Sequence, residues 1–138
     1  MNSKLNPYIN FNGNAKEAME FYKNALGGQL TMSTFKDGGV PHDPSESEKI
    51  MHAMLIADNG ITLMASDTPK GWEYSKGTNM SVSLSGDNEA ELQGYWDKLS
   101  TEAKIDQPLV KAPWGDMFGM FTDKFGIRWM VNIAGKKA

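Results

Sequence analysis

Two segments of the chain repeat each other, and this internal repeat constrains the fold more than any single residue does. Asn14-Ala-Lys-Glu17 recurs 74 positions later as Asn88-Glu-Ala-Glu91, and apolar residues follow each copy at helical spacing. Asn at the N-cap with Glu three residues later can satisfy the free amides of a first helical turn, and the spacing gives one apolar stripe. The repeat therefore predicts two similar helices, from Asn14 to the stop at Gly27-Gly28 and from Asn88 to about Ser100.

A second pair of segments supports the duplication. Gly60-Ile-Thr-Leu-Met64-Ala-Ser66 aligns with Gly126-Ile-Arg-Trp-Met130-Val-Asn132 at an offset of 66. Alternation and turn residues predict strands at 5–11, 29–35, 50–57, 61–66, 79–85, 105–112, 116–123 and 127–133. The expected class is α+β: two βαβββ modules form an eight-stranded, curled mixed sheet with both helices on its outer face, which leaves the other face for a ligand.

Length and composition exclude several classes of protein. At 138 residues we expect a single domain, residues 1–138, made of repeats at about 5–66 and 79–133. A net charge of -3 gives no basic footprint, so neither nucleic acid nor a membrane is an expected partner. No apolar run approaches about 18 residues, and no signal peptide is evident, which predicts a cytoplasmic protein. The absence of Cys removes disulfides and thiolate metal sites.

Four motifs carry a resemblance to a known family. They are Pro7-Tyr-Ile-Asn-Phe-Asn-Gly13, Glu20-Phe-Tyr-Lys23, Met51-His-Ala53 and the longest and most specific one, 114–129, which reads WGDMFGMFTDKFGIRW. With the paired βαβββ units, they resemble the PhnB-like branch of the vicinal oxygen chelate superfamily, which includes glyoxalase I, extradiol dioxygenases and bleomycin-resistance proteins. The resemblance covers nearly the whole chain and implies eight strands around a central cavity, usually in a homodimer.

Many PhnB-like proteins are named 3-demethylubiquinone-9 3-methyltransferase, and the chain does not favour that activity. A nucleotide-like methyl donor would be held by a Gly-rich strand-to-helix turn followed by an acidic residue in a doubly wound sheet. The sequence contains no such turn.

The resemblance also implies a divalent metal held by four side chains, usually His and Glu, on the first and last strands of each unit. Carried over by the repeat, these positions fall at Tyr8, Met64, Ser81 and Met130, to within one residue at Tyr8 and Ser81. None is His or a carboxylate, although hard divalent ions need oxygen or imidazole donors and a thioether suits Cu(I). We therefore expect no metal and no other cofactor.

Strand alternation predicts which side chains share the ligand face. Most are Met or aromatic, with a few polar groups, a composition typical of small-molecule pockets. The predicted pocket residues are Tyr8, Asn10, His52, Met54, Met64, Ser81, Trp114, Phe118, Met120, Arg128, Met130 and Asn132.

Two residues, His52 and Asp116, are candidates for catalysis. His52 is interpreted as a general base or a hydrogen-bond donor to a bound carbonyl or carboxylate, or alternatively as a neutral His tied to Ser66 or to a backbone group. Asp116 is interpreted as an acid, a base or a substrate anchor, or alternatively as a turn residue. Arg128 could grip an anion or lie exposed at a strand end.

The loops leave further alternatives open. Trp72 and Tyr74 in the connecting segment could act as a lid, cover the core edge or belong to a dimer interface. The acidic run Ser45-Glu-Ser-Glu48 is interpreted as solvated surface, and 36–49 as a loop without regular structure.

Three functional hypotheses follow. The first is a binding protein that takes a small apolar or aromatic molecule without metal, as the bleomycin-resistance relatives sequester a drug. The second is a metal-dependent lyase, isomerase or dioxygenase whose ligands lie elsewhere in the sequence. The third is a metal-free enzyme that transfers protons through His52 and Asp116.

Overall fold

The computed structural model describes residues 3–135 of the chain, which divides into two compact units between Ser75 and Lys76. We call these units module one and module two. The elements of module one are β1 (Tyr8–Phe11), α1 (Ala15–Leu26), β2 (Gln29–Thr34), α2 (Phe35–Gly38), a 3-10 turn (Pro44–Glu46), β3 (Ile50–Ile56) and β4 (Thr62–Asp67). Those of module two are β5 (Val82–Gly86), α3 (Glu89–Leu99), β6 (Lys104–Lys111), β7 (Met117–Thr122) and β8 (Arg128–Ile133).

The two modules have the same strand topology. The sheet of module one has the order β1-β4-β3-β2, and the sheet of module two has the order β5-β8-β7-β6. In each, the first strand runs parallel to the last and the other pairs are antiparallel. The predicted α+β fold and the duplicated βαβββ unit are therefore confirmed, with the predicted strands arranged in two four-stranded mixed sheets.

The first strands of the two modules are shorter than predicted. Strand β1 begins at Tyr8 rather than Leu5, whose side chain is fully exposed, and β5 begins at Val82 rather than Asn79. In both cases pairing with the parallel partner strand begins only at these residues, Tyr8 opposite Met64 and Val82 opposite Trp129.

Helix α1 is anchored by a residue far away in the sequence. The Asn14 side chain makes no capping hydrogen bond, so that predicted N-cap contact is wrong. Asp67 Oδ1 instead accepts from the Gly13 and Ala15 amides at 2.9 and 3.0 Å, and its Oδ2 accepts from the Ile50 amide at 2.9 Å. Asp67 is only 2% exposed, so one buried carboxylate joins the start of α1 to the start of β3.

Helix α3 follows the prediction more closely. Asn88 Oδ1 accepts from the Glu91 amide at 3.1 Å, which confirms the predicted cap. The buried Trp96 ring meets Phe121 edge-on, with centroids 5.0 Å apart. This packing needs Gly119, since a Cβ there would lie 2.7 Å from the Trp96 ring.

The segment between β2 and β3 is more ordered than predicted. Thr34 and Asp37 form a reciprocal capping box at the start of α2, with Thr34 Oγ1 accepting from the Asp37 amide at 3.0 Å. Phe35 and Glu46 are both buried. The prediction of an irregular loop over 36–49 is therefore wrong, because local side-chain hydrogen bonds stabilise short helical turns there.

Across residues 3–135, the structure contains no helix with the length and apolar character needed to cross a membrane.

Candidate functional site

The strands of module one place two sets of side chains on opposite faces. Ala53, Leu55, Leu63 and Ala65 are buried in the core. The alternate positions of β3 and β4, together with those of β1, form what we call the open face of module one: Tyr8, Asn10, His52, Met54, Met64 and Ser66.

The register brings these open-face residues together in rows. Met64 pairs with Tyr8 on one side and with Met54 on the other, while Asn10 pairs with Ser66. The rings of Tyr8 and His52 are 6.0 Å apart between centroids and inclined at 53°. The Ser66 hydroxyl donates to Asn10 Oδ1 at 3.5 Å, so its hydrogen bond goes to Asn10 rather than to His52.

A cavity of about 400 Å³ opens at the edge of this face. Strands β1 and β4 form one wall, and the segment after β4 forms the other. The cavity is lined by three aromatic side chains and several polar ones: Tyr8, Asn10, Ser66, Thr68, Pro69, Trp72, Glu73, Tyr74 and Ser75. Trp72 is 75% exposed, which leaves most of its ring surface available to a bound molecule.

The cavity wall formed by residues 68–75, which we call the connecting wall, is held by Glu46. Both carboxylate oxygens of Glu46 accept from the Lys70 amide, at 2.9 and 3.1 Å, and Lys49 Nζ lies 3.2 Å away. The hydrogen bond from the Lys70 backbone amide is the main cause that lowers the pKa of the Glu46 carboxyl. Glu46 is 4% exposed, so the interpretation of the acidic run as solvated surface is wrong for this residue.

A second acidic side chain, Asp43, also holds Lys70 of the connecting wall. Asp43 accepts from the hydroxyl and the amide of Ser45 at 2.7 and 2.9 Å, and its Oδ2 lies 3.4 Å from Lys70 Nζ. The hydrogen bond from the Ser45 hydroxyl is the largest cause that lowers the pKa of Asp43 to about 2. The Asp43 and Glu46 contacts therefore fix the connecting wall at Lys70.

Module two presents a comparable open face. Phe118 pairs with Asn132, Met120 with Met130, and Thr122 with Arg128. The exposed Trp114 ring meets Phe118 edge-on, with centroids 5.6 Å apart. The module two residues of the predicted pocket on strands β7 and β8 therefore share one face of their sheet.

The polar residues of this face are engaged within their own module. Asp116 Oδ2 accepts from Asn132 Nδ2 at 3.0 Å, and Asp116 Oδ1 accepts from the Gly135 amide at 2.8 Å. These bonds, led by the one from Asn132, lower the pKa of the Asp116 carboxyl. Arg128 Nη1 donates to the Thr78 carbonyl.

The strand register differs from the predicted alignment at Ser81. Ser83 pairs with Met130 and Ser85 with Asn132, so these two serines correspond to Tyr8 and Asn10 of module one. Ser81 lies just before β5. Serines alternate along 81–85, so sequence alone offers several equivalent registers.

The donors at these positions do not fit the metal that the superfamily resemblance implies. Where the first and last strands pair, the open-face side chains are phenol, amide, thioether and hydroxyl groups: Tyr8, Asn10, Met64, Ser66, Ser83, Ser85, Met130 and Asn132. A hard divalent ion would need carboxylate or imidazole ligands here. Within residues 3–135, no group of three or more His, Asp or Glu side chains is placed to hold a metal ion.

Sequence reasoning assigned Tyr8 and Asn10 to a ligand site but missed the rest of the cavity lining as a set. For Trp72 and Tyr74 the sequence leaves three alternatives open, and the structure places both in the cavity lining. The available signal was an acidic residue between two aromatics, Trp72-Glu73-Tyr74, directly after Gly71 in a connecting segment.

Comparison with known proteins agrees with the fold. Residues 4–131 match the Glyoxalase/Bleomycin resistance protein/Dioxygenase superfamily. The chain is 27% identical to Protein YjdN of Escherichia coli (strain K12) over 94% of both chains. It resembles the crystal structure of protein PA1353 from Pseudomonas aeruginosa with a TM-score of 0.83 and 36% identity, over 97% of this chain and 99% of that one.

A third relative indicates the branch. The PhnB protein of Bacillus cereus, which carries a provisional 3-demethylubiquinone-9 3-methyltransferase name, matches with a TM-score of 0.75 and 27% identity, over 96% of this chain and 100% of its own. The chain thus belongs to the glyoxalase/bleomycin resistance protein/dioxygenase superfamily, in its PhnB-like branch.

Proposed function

We propose that this protein binds a small, partly aromatic or apolar molecule without using the divalent metal of its superfamily. The observation that carries the proposal is the set of open-face side chains where the first and last strands pair. It consists of phenol, amide, thioether and hydroxyl groups in module one, and of hydroxyl, thioether and amide groups in module two. With such groups, recognition depends on shape, aromatic contact and hydrogen bonding.

The cavity of module one supports this proposal. Its volume of about 400 Å³ falls within the range of small-molecule pockets, and three aromatic rings contribute to its lining. Met54 and Met64 lie on the adjoining open face, where flexible thioether side chains can adapt to different ligand shapes. The other predicted pocket residues, on module two, remain candidates for ligand contact.

The contacts of Asp116 favour binding over metal-free proton transfer. Both of its carboxylate oxygens accept hydrogen bonds from Asn132 and Gly135, and its pKa is lowered, which weakens it as a base at neutral pH. His52 remains a catalytic candidate, and its ring lies beside that of Tyr8, which lines the cavity.

The strand order argues against methyl transfer. A nucleotide-like methyl donor is typically held by a doubly wound parallel sheet, whereas each sheet here has one parallel and two antiparallel strand pairs. The methyltransferase name of the Bacillus cereus relative therefore gains no support from this chain.

Thermal denaturation with a probe ligand, in the presence and absence of a chelator, tests the proposal. The probe is 4-tert-butylphenol, a neutral aromatic molecule small enough for the cavity. We expect the melting temperature to rise with probe concentration, and to rise equally with and without EDTA, because binding only to the folded state stabilises it. Stabilisation that disappears in EDTA and returns with Zn²⁺, Ni²⁺ or Mn²⁺ would support the metal-dependent alternative.

We also infer a homodimer in the cytoplasm. Large apolar side chains are exposed in module two, including Met80 at 79% and Trp114 at 62%, and burying them in a subunit interface would be favourable. The Cys-free composition suits a reducing compartment. Light scattering should give twice the chain mass of 15.3 kDa, whereas a monomer would refute the dimer. Cell fractionation tests the location.

A further inference from the structure

We propose that the ligand of the module one cavity is an organic cation, with a substituted ammonium group on a small apolar or aromatic frame. This inference rests on the proposed function and adds the charge of the ligand. It follows from two properties of the cavity lining, its aromatic rings and its single charged side chain.

The aromatic rings come from two different elements. Tyr8 lies on β1, while Trp72 and Tyr74 lie on the connecting wall. Tyr8 and Trp72 are 46% and 75% exposed, so neither ring is buried in the core. The negative faces of Trp and Tyr rings attract cations, and rings gathered around one cavity are a recurrent way to bind substituted ammonium groups.

The charge of the lining has one sign. Glu73 is the only charged residue among the nine described residues that line the cavity, and none of them is Lys, Arg or His. The nearby Lys70 directs its ammonium group to Asp43, at 3.4 Å, outside the lining. An anionic ligand would meet Glu73 without a compensating cation, whereas a cationic ligand would gain both the rings and the carboxylate.

The remaining lining residues are neutral hydrogen-bonding groups. Ser66 and Asn10 share only a long contact of 3.5 Å, and Thr68 continues the same side of the cavity. Because that contact is weak, these side chains can exchange it for a hydroxyl or carbonyl on the ligand. They would orient the ligand frame while the rings and Glu73 select its charge.

A pair of isosteric probes tests the inference. The 4-hydroxyphenyltrimethylammonium ion and 4-tert-butylphenol differ only in a charged nitrogen in place of a neutral carbon. We expect the cation to bind the wild-type protein about tenfold more tightly in calorimetric titration, which corresponds to one favourable cation–π contact. Salt should weaken binding of the cation more than binding of the neutral probe.

Substitutions in the cavity lining test whether the preference for the cationic probe arises there. Glu73→Gln keeps the side-chain size, so it should reduce affinity for the cation and leave affinity for the neutral probe unchanged. Trp72→Leu should lower the ratio of the two affinities. Glu20→Gln on α1 changes the net charge equally at an exposed position away from the lining, and should change neither affinity.

The outcomes separate the two proposals. If both probes bind wild-type protein equally, or the neutral probe binds more tightly, the cation inference is overturned and the proposed small-molecule function stands. A preference for the cation that survives both Glu73→Gln and Trp72→Leu also overturns the inference, since charge selection then lies elsewhere. If neither probe binds, the cation inference fails, and the same titration counts against the cavity as the site of the proposed function.

Discussion

Modules one and two share a strand order but differ in the side chains placed at equivalent positions. Module one has Tyr22 on its helix and Ala53 on its third strand, both fully buried, whereas module two has Trp96 and Gly119. The larger ring of Trp96 is accommodated by the missing Cβ of Gly119. The comparison teaches that the repeat conserves backbone geometry while volume is exchanged between facing positions.

The open faces of the two modules also differ in the side chains at equivalent positions. Module one places Tyr8 beside its Met64, whereas module two places Ser83 beside Met130. The phenol ring adds an aromatic wall to a cavity that the connecting wall completes. One duplicated backbone therefore supports two chemically different surfaces.

Buried carboxylates give the largest expected difference between the modules. Asp67 accepts from three amides, two of them more than 50 residues away, whereas Asp123 accepts from the nearby Phe125 and Ile127 amides and from the Trp129 indole. Asp67→Ala should lower the free energy of unfolding by about 3–4 kcal/mol, and Asp123→Ala by about 2–3 kcal/mol. Urea unfolding measures both, and a larger loss for Asp123→Ala would show that the long-range contacts matter less.

The close packing of Trp96 on Gly119 in module two predicts a smaller loss of stability than the carboxylate variants. Gly119→Ala should lower the free energy of unfolding by about 1–3 kcal/mol, because the new Cβ meets Trp96 and the Leu109 backbone.

The control for that variant is Gly94→Ala on α3. No atom lies within 4 Å of the added Cβ, so this change should stabilise the helix by about 0.5–1 kcal/mol. Equal thermal shifts for the two variants would contradict the packing explanation.

The helix caps predict a still smaller contrast. Asn88→Ala removes a capping hydrogen bond to the Glu91 amide and should cost about 1 kcal/mol. Asn14→Ala should cost less, because the Asn14 side chain makes no such bond. Thermal denaturation of both variants checks this order, and an equal cost would mean that Asn14 caps α1 in solution.

The contacts of the connecting wall predict a pH dependence confined to acid. The pKa values of Asp43 and Glu46 are lowered, so their stabilising contributions are complete above the ordinary values of 3.8 and 4.5. These contributions are lost as pH falls through the lowered values, which for Asp43 is about 2. Between pH 8 and 5 these groups should cause no change.

Tryptophan emission follows this transition, with Trp72→Phe as the reference that isolates the Trp72 signal. Wild-type emission should change between pH 5 and 2, and Glu46→Gln should weaken the contact at neutral pH. An unchanged Trp72 signal in Glu46→Gln would show that the Lys70 contact does not position the wall.

The sequence predicted the elements that local patterns encode. Helical stripes, the turn at 58–60 and the alternation along β3, β4, β7 and β8 depend on neighbours in the chain, and the predicted order was confirmed. The capping of α1 by Asp67 could not be predicted, because it joins residues 52 and 54 positions apart. The burial of Glu46 could not be predicted for the same reason, since its hydrogen-bond partner Lys70 lies 24 positions away.

The site could be predicted only in part for similar reasons. Strand alternation places Tyr8 and Asn10 on the open face, but the cavity also needs the path of residues 68–75, which no periodic pattern specifies. The register at Ser81 could not be predicted because Ser81, Ser83 and Ser85 alternate along this segment, and only the pairing of Ser83 with Met130 distinguishes them.

The metal content of protein purified without added metal decides whether recognition here is independent of a metal ion. Elemental analysis should find Zn, Ni, Mn and Fe far below one equivalent per chain, in wild-type protein and in His52→Ala alike. One equivalent of any of these metals in the wild type, lost in His52→Ala while the protein stays folded, would contradict metal-independent binding and establish a metal centre in this chain.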